Sequence, residues 1–261
     1  MTDELKGKRA VVTAGTRGIG LGVVERFLEE GASVVALARN EAPQLPAEAT
    51  LVRADLSTLA GVQSAAEAAT SVLGGVDVLV NCLGGGPESG LRPFFGGSST
   101  IPDELWVSVL QTAYLAAVRL DRALLPGMIA QGSGSIIEVA ANAARRPIPA
   151  LLHYSTAKAA VTHYAKGLAT EVAPTGVRVN VVSPGLTRTP TIDELVALIV
   201  QDGGQQPAEV HQMLREMESA PLPGENTPED VANVVVFLAS DRASRVTGAN
   251  YVVDAGSLLQ L

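Results

Sequence analysis

The stretch Thr13-Ala14-Gly15-Thr16-Arg17-Gly18-Ile19-Gly20 decides how the rest of the chain is read. It follows a short apolar run, residues 9–13, and opens a helical pattern, residues 19–30. Each glycine has its own physical task. Gly15 permits a tight turn without a Cβ clash, Gly18 lets backbone approach a pyrophosphate, and Gly20 lets helix and strand pack closely. The helix start offers unpaired N–H groups and a positive dipole end to an anion. Thr16, Arg17 and Ile19 belong to the same turn. A glycine turn alone is a weak signal; its position between first strand and first helix raises it.

The pattern outward from this turn alternates. Residues 9–13, 33–37, 50–53, 76–81, 135–139, 177–182 and 250–253 read as strands. They are short, almost continuously apolar and bounded by Gly, Asp or Asn, as strands buried on both faces are. Helical stretches lie between them at 19–30, 59–73, 103–125, 151–172 and 228–238. The expected fold is α/β: a single-domain, Rossmann-type, doubly wound parallel sheet of about seven strands over residues 1–261, with helices on both faces. Residues 39–49 are Pro-rich, so the helix expected there is abbreviated. Residues 113–125 and 157–169 are apolar on more than one side, which suits deep burial or packing against another subunit. Two segments read as mobile insertions, 84–100 and 187–226. The second contains an amphipathic helix candidate at 208–219 and forms a lid within the domain. Such excursions at strand ends shape a substrate pocket; plain surface decoration is the alternative.

Composition removes several function classes. The apolar fraction is 47% and the net charge −8, with no basic tract. A nucleic-acid groove needs Lys and Arg against phosphates, so none is expected. No apolar run approaches the ~20 residues of a membrane span, and Met1–Leu5 lacks a leader's apolar core, so a cytoplasmic protein is expected. The one cysteine, Cys82, forms no internal disulfide and reads as a small residue at a strand end. His153, His163 and His211 lack metal-ligand spacing, so no metal is expected. His153 reads as a residue at the pocket rim.

The end of the second strand chooses between cofactors. An acid there would bind the adenosine ribose of NAD, but the chain has Leu37-Ala38-Arg39-Asn40. Arg39 can pair with a 2′-phosphate and Arg17 can assist, which favours NADP(H). Two solvated surface arginines are the alternative. Asp55-Leu56, after the third strand, is placed to accept from the adenine amine. Asn81 ends the fourth strand before Gly84-Gly85-Gly86, another loop suited to close approach. Ser183-Pro184-Gly185-Leu186-Thr187-Arg188-Thr189 follows the sixth strand and is placed to cover a nicotinamide.

Tyr154 and Lys158 stand four apart, so on a helix they share one face. An ammonium beside a phenol favours the phenolate and is expected to lower the tyrosine pKa from about 10. Tyr154 then serves as acid for a carbonyl receiving hydride, or as base for the reverse.

Together these residues resemble the short-chain dehydrogenase/reductase family over nearly the whole chain. The likeness lies in the 13–20 turn, Asp55, Val80-Asn81, Trp106, Tyr154 with Lys158, Val177-Arg178-Val179-Asn180, Pro184-Gly185 with Thr189, Val246-Thr247-Gly248, and Asp254-Ala255-Gly256. The resemblance implies nucleotide contacts from Gly15, Thr16, Arg17, Gly18, Ile19, Gly20, Arg39, Asp55, Leu56, Asn81, Gly84, Tyr154, Lys158, Pro184, Gly185, Thr187 and Thr189. It also implies homotetramers or homodimers built on the helices at 113–125 and 151–172. Two positions depart from the family pattern. The serine thirteen residues before the tyrosine is Ala141, and the asparagine seven residues after Trp106 is Ala113. In the family the first donates to the substrate carbonyl and the second holds a water beside the lysine; a methyl does neither. Removing one oxyanion-type donor typically lowers rate by about 10²–10³. Nearby polar residues are Asn142, His153, Tyr114 and Ser183, and a one-residue loop shift would let Asn142 act as the donor.

The expectation is therefore an NADP(H)-dependent ketoreductase or alcohol dehydrogenase acting on a bulky small molecule. Residues 117–126 resemble, more loosely, actinobacterial reductases that modify polyketides, which implies a secondary-metabolite carbonyl. The rival is the same scaffold repurposed for dehydration, cyclisation or isomerisation by Tyr154 and Lys158 without net hydride transfer.

Overall fold

The computed structural model describes residues 3–84 and 97–259. Seven strands pair in parallel among them: β1 (Arg9–Thr13), β2 (Ser33–Ala38), β3 (Thr50–Arg53), β4 (Val78–Asn81), β5 (Gly134–Val139), β6 (Val177–Pro184) and β7 (Asn250–Val253). Their order is β3-β2-β1-β4-β5-β6-β7. Chain order reverses beside β1, between β2 and β4, and such a reversal opens a crevice at the carboxyl ends of the strands.

Successive strand residues point to opposite faces, so both faces need apolar cover. Val11, Val35, Leu79 and Ile136 pack with helices α2 (Leu59–Leu73), α4 (Ala116–Gln131) and α5 (Leu152–Val172). Ala10, Val12, Val34, Val80 and Ile137 pack with α1 (Gly18–Glu29) and α8 (Pro228–Ala239). Phe27 of α1 is wholly buried in that second core. The doubly wound expectation holds.

Three local expectations need correction. The helix expected over 103–125 is α3 (Asp103–Val109), a π-helical turn (Leu110–Leu115), and α4. It continues past Pro126 because Leu124 and Met128, on either side, are buried in the core and tie down the last turn. No helix forms in residues 39–49. The lid holds two helices, α6 (Pro190–Gly203) and α7 (Pro207–Glu218), where one was expected. Pro190 starts α6 and Gly204, at φ 68°, ends it. Leu195, Val196, Ile199 and Val210 give the hairpin a small core of its own. Residues 85–96, including Gly85 and Gly86, lie outside the described residues. Among the described residues no helix is long and apolar enough to cross a membrane, and no side-chain group could hold a metal ion.

Candidate active site

The β1–α1 turn is built as a cradle. A Cβ on Gly20 would sit 2.2 Å from the Ala14 carbonyl oxygen, and one on Gly15 would lie 3.0 Å from both Val12 O and Ala36 Cβ. Gly18 has φ +53° and lies against Thr189, the residue before α6. Arg17 precedes α1 but makes no side-chain capping bond, so the first N–H groups of α1 are left for an anion. This fits a dinucleotide pyrophosphate.

A cleft lined by Thr16, Arg17, Arg39, Asp55 and Leu56 continues from the turn. Arg39 also lines the neighbouring cleft beside Ser57, Thr58 and Arg119. The structure thus brings both arginines to one end of the crevice. Arg17 already has a partner, with its Nη2 2.5 Å from Glu194 Oε1 of α6. Asp55 Oδ1 accepts from the Ser57 N–H at 3.0 Å and from its hydroxyl at 2.7 Å. These two bonds, the hydroxyl's above all, hold the Asp55 carboxyl below its usual range.

Leu83 joins the two ends of the crevice. It lines the adenosine-side cleft, and its carbonyl accepts from Lys158 Nζ at 2.8 Å. The carbonyl of Val139 accepts from the same ammonium at 2.7 Å. Lys158 Nζ lies 5.9 Å from the centre of the Tyr154 ring. Burial lowers the Lys158 pKa to about 8, against the opposing pull of Glu138 and Cys82. Burial pushes Tyr154 up to about 12. The expected lowering of the phenol is therefore corrected: the ammonium bonds two carbonyls, and desolvation governs the phenol. At neutral pH Tyr154 holds its proton and is an acid.

Several other expectations shift. Asn142 is buried, and its amide donates to Glu218 Oε1 at 2.6 Å and to Ser257 Oγ at 3.1 Å. Both amide hydrogens are thereby committed, so Asn142 does not stand in for the missing serine. Asn81 donates to Asp121 at 2.9 Å and Glu138 at 2.7 Å, so its side chain is held among buried carboxyls and away from the cofactor cleft. Ser183 donates to Asn250 at 2.8 Å. His153 is wholly buried, edge-on to Trp106, and is not at a rim. Ala113 and Ala141 are both buried. Gly84, at φ +93°, presses on Ala113 so closely that a Cβ on it would lie 2.3 Å from the alanine methyl. Gly185 begins the loop after β6, and the Thr187 hydroxyl donates to the Gly185 carbonyl at 3.0 Å.

Sequence reasoning missed two polar groupings. Glu138 and Asp121 are both wholly buried beneath Lys158, bridged by Asn81. Burial raises both carboxyls, and for Glu138 the neighbouring Asp121 adds to the rise. The available signal was a charged residue inside an apolar strand, Ile136-Ile137-Glu138-Val139, and another inside an apolar helix. The second grouping gathers around Glu218, whose exposed-looking helix gave no hint of burial.

The fold and cradle define a dinucleotide-binding α/β protein of the Rossmann type. A family model described as "Enoyl-(Acyl carrier protein) reductase" matches residues 13–257. Dehydrogenase/reductase SDR family member 4 of Bos taurus is 34% identical over 98% of this chain and 89% of its own. L-Sorbose reductase from Gluconobacter frateurii, solved with NADPH and L-sorbose, superposes with TM-score 0.89 at 35% identity, covering 100% of both chains. The 3-ketoacyl-(acyl-carrier-protein) reductase from Brucella melitensis, solved with NADH, gives TM-score 0.83 at 30% identity over 97% of this chain and 99% of that one. The chain belongs to the short-chain dehydrogenase/reductase family. The family's cofactor is a nicotinamide dinucleotide, NADP(H) included.

Proposed function

We propose that this protein is an NADP(H)-preferring ketoreductase or alcohol dehydrogenase for a bulky carbonyl compound of the secondary-metabolite kind. The observation behind the cofactor preference is the pair Arg17 and Arg39 on one cleft, with no acid at the end of β2. A 2′-phosphate meets two guanidinium donors there. The bound nicotinamide supplies or receives the hydride. Tyr154 holds a proton toward the carbonyl oxygen, and its high pKa suits the reductive direction. Lys158, fixed by Leu83 and Val139, keeps a positive charge beside the phenol and toward the nicotinamide ribose. Ala113 and Ala141 contribute no donor, so Tyr154 and a water or substrate hydroxyl complete the carbonyl's contacts. The two-helix lid supports a substrate larger than a simple ketone, and α4 with α5 supports assembly as a homodimer or homotetramer.

A second reading is favoured by one observation: Asn142 and Ser183 both have partners, beside two alanines. A site without a second carbonyl donor beside Tyr154 suits dehydration, cyclisation or isomerisation through that residue. The two readings separate when NADPH absorbance and product are followed together over a panel of ketones and hydroxyketones. NADPH loss matching product supports reduction. Product at constant NADPH supports the second reading and overturns the first.

A further inference from the structure

Glu218 is the last residue of α7, and its side chain is only 13% exposed. Three segments converge on it. Oε1 accepts from Asn142 Nδ2 at 2.6 Å, from the Leu186 N–H at 3.1 Å and lies 2.9 Å from Ser257 Oγ. Oε2 accepts from Arg146 Nη2 at 2.8 Å, and the Glu218 carbonyl accepts from Arg146 Nη1 at 3.2 Å. A Cβ on Gly185 would lie 2.4 Å from Oε1, so the carboxylate rests on bare backbone. Ser219, which follows, has φ 52°, a conformation a non-glycine residue adopts at a cost. The chain accepts that conformation where it turns this carboxylate inward.

The partners are not scattered. Asn142 adjoins Ala141, and Leu186 lies in the loop placed over the nicotinamide. Ser257 belongs to the turn after β7, where Asp254 accepts from the N–H groups of Gly256 and Leu258 and also reaches Ser257 Oγ at 2.9 Å. Two carboxylates thus share one hydroxyl. They are kept compatible by Arg146 on one side and by backbone N–H groups on the other. One acidic group ties the lid to both loops under it.

We propose that Glu218 is a positioning residue that sets the nicotinamide end of the crevice by latching α7 to the 142–146 and 185–186 loops. The functional part of this inference rests on the reading of that end given under the proposed function; the latch itself rests on the hydrogen bonds. The opposite end of the same lid touches the cofactor side through Glu194 and Arg17. Loosening the latch therefore weakens what binds at the nicotinamide and leaves the adenosine end intact.

The test uses the whole 261-residue chain with Glu218→Gln, which keeps size but places an amide against donors. Glu216→Gln, on the exposed face of α7, is the control; its carboxylate accepts from Gln212 at 2.8 Å. Calorimetry compares NADPH with 2′,5′-ADP, which lacks the nicotinamide half. The latch predicts NADPH weakened about tenfold, with 2′,5′-ADP within about twofold. Trypsin cleavage after Arg188 or Arg215 is expected to speed up about tenfold in the folded variant. Ser257→Ala removes one partner and moves both readouts the same way by less, which keeps the test open if Glu218→Gln does not fold. A folded Glu218→Gln protein with unchanged NADPH affinity and unchanged cleavage overturns the latch. Equal weakening of NADPH and 2′,5′-ADP also overturns it, because that marks a general loss of stability. Wild-type protein that binds neither ligand defeats the cofactor reading alone, and the cleavage comparison still decides the latch.

Discussion

The two ends of the crevice are built on opposite plans. At the adenosine end backbone does most of the work: three glycines and an uncapped helix start shape a cradle, with Arg17, Arg39 and Asp55 around it. At the chemical end individual side chains decide, and there two methyl groups stand beside polar groups that already satisfy one another. A binding site made of backbone survives many substitutions of side chains. A site for proton and hydride chemistry depends on single donors placed within hydrogen-bond reach.

The contrast can be broken most forcefully at Tyr154. Tyr154→Phe removes the only proton donor assigned to the reacting carbonyl and should lower turnover by about 10²–10⁴-fold. NADPH affinity should stay within about threefold, since the lost hydroxyl contributes about one neutral hydrogen bond at most. Steady-state rates and calorimetry on one preparation check both. Unchanged turnover would remove Tyr154 from the mechanism.

Ala141→Ser sharpens the comparison from the other side. Restoring a donor there should raise ketone reduction by about 10²-fold, the usual worth of one such group. The rate with the best ketone of the panel measures it, and no gain would mean that a donor absent from the described side chains already does the job. Ala113 is different, because Gly84 lies directly against its methyl and leaves no room for a longer side chain.

Lys158 links the ends and titrates near working pH. Its pKa, about 8, lies below the ordinary lysine value because of burial. Reduction needs both Lys158 and Tyr154 protonated, and Tyr154 remains so up to about 12. The reduction rate should therefore be flat below pH 8 and fall about tenfold per unit above it. Lys158→Arg keeps its charge and should move that fall to higher pH, read from kcat/KM profiles.

The smallest effect concerns stability. Asp121, raised to about 7 by burial, and Glu138, raised as well, keep protons in the native state that the unfolded chain releases at ordinary carboxylate pKa values. The native state thus binds more protons, and stability falls as pH rises from about 4 toward 7. The slope is at most about 1.4 kcal/mol per pH unit for each retained proton. Urea denaturation across that range measures it, and Glu138→Gln should flatten the slope.

Much of this was legible in residue order. β1, β3 and β7 fall where their apolar runs begin and end, β1 because it is buried in the sheet centre, and the edge strands β3 and β7, only partly buried, because their runs stop at polar or turn residues. The glycine turn and the Tyr154/Lys158 spacing located both ends of the crevice. Less legible was whatever depends on distant partners. Asn142 looked available beside Ala141 because nothing local reveals Glu218 or Ser257. Asn81 looked like a cofactor contact because the buried Asp121 and Glu138 come from other elements. The pKa of Tyr154 was misjudged because helical spacing puts Lys158 nearby but does not say which carbonyls it bonds. Helix α6 had legible ends in Pro190 and Gly204, yet its apolar residues face α7 and not the main core.

The most direct measurement is calorimetric titration of the wild-type protein with NADPH and with NADH. Two guanidinium groups on the 2′-phosphate should make NADPH bind about 10–100-fold more tightly, and Arg39→Ala should remove most of that advantage. Equal affinities, or tighter NADH, would contradict the reading of the adenosine end.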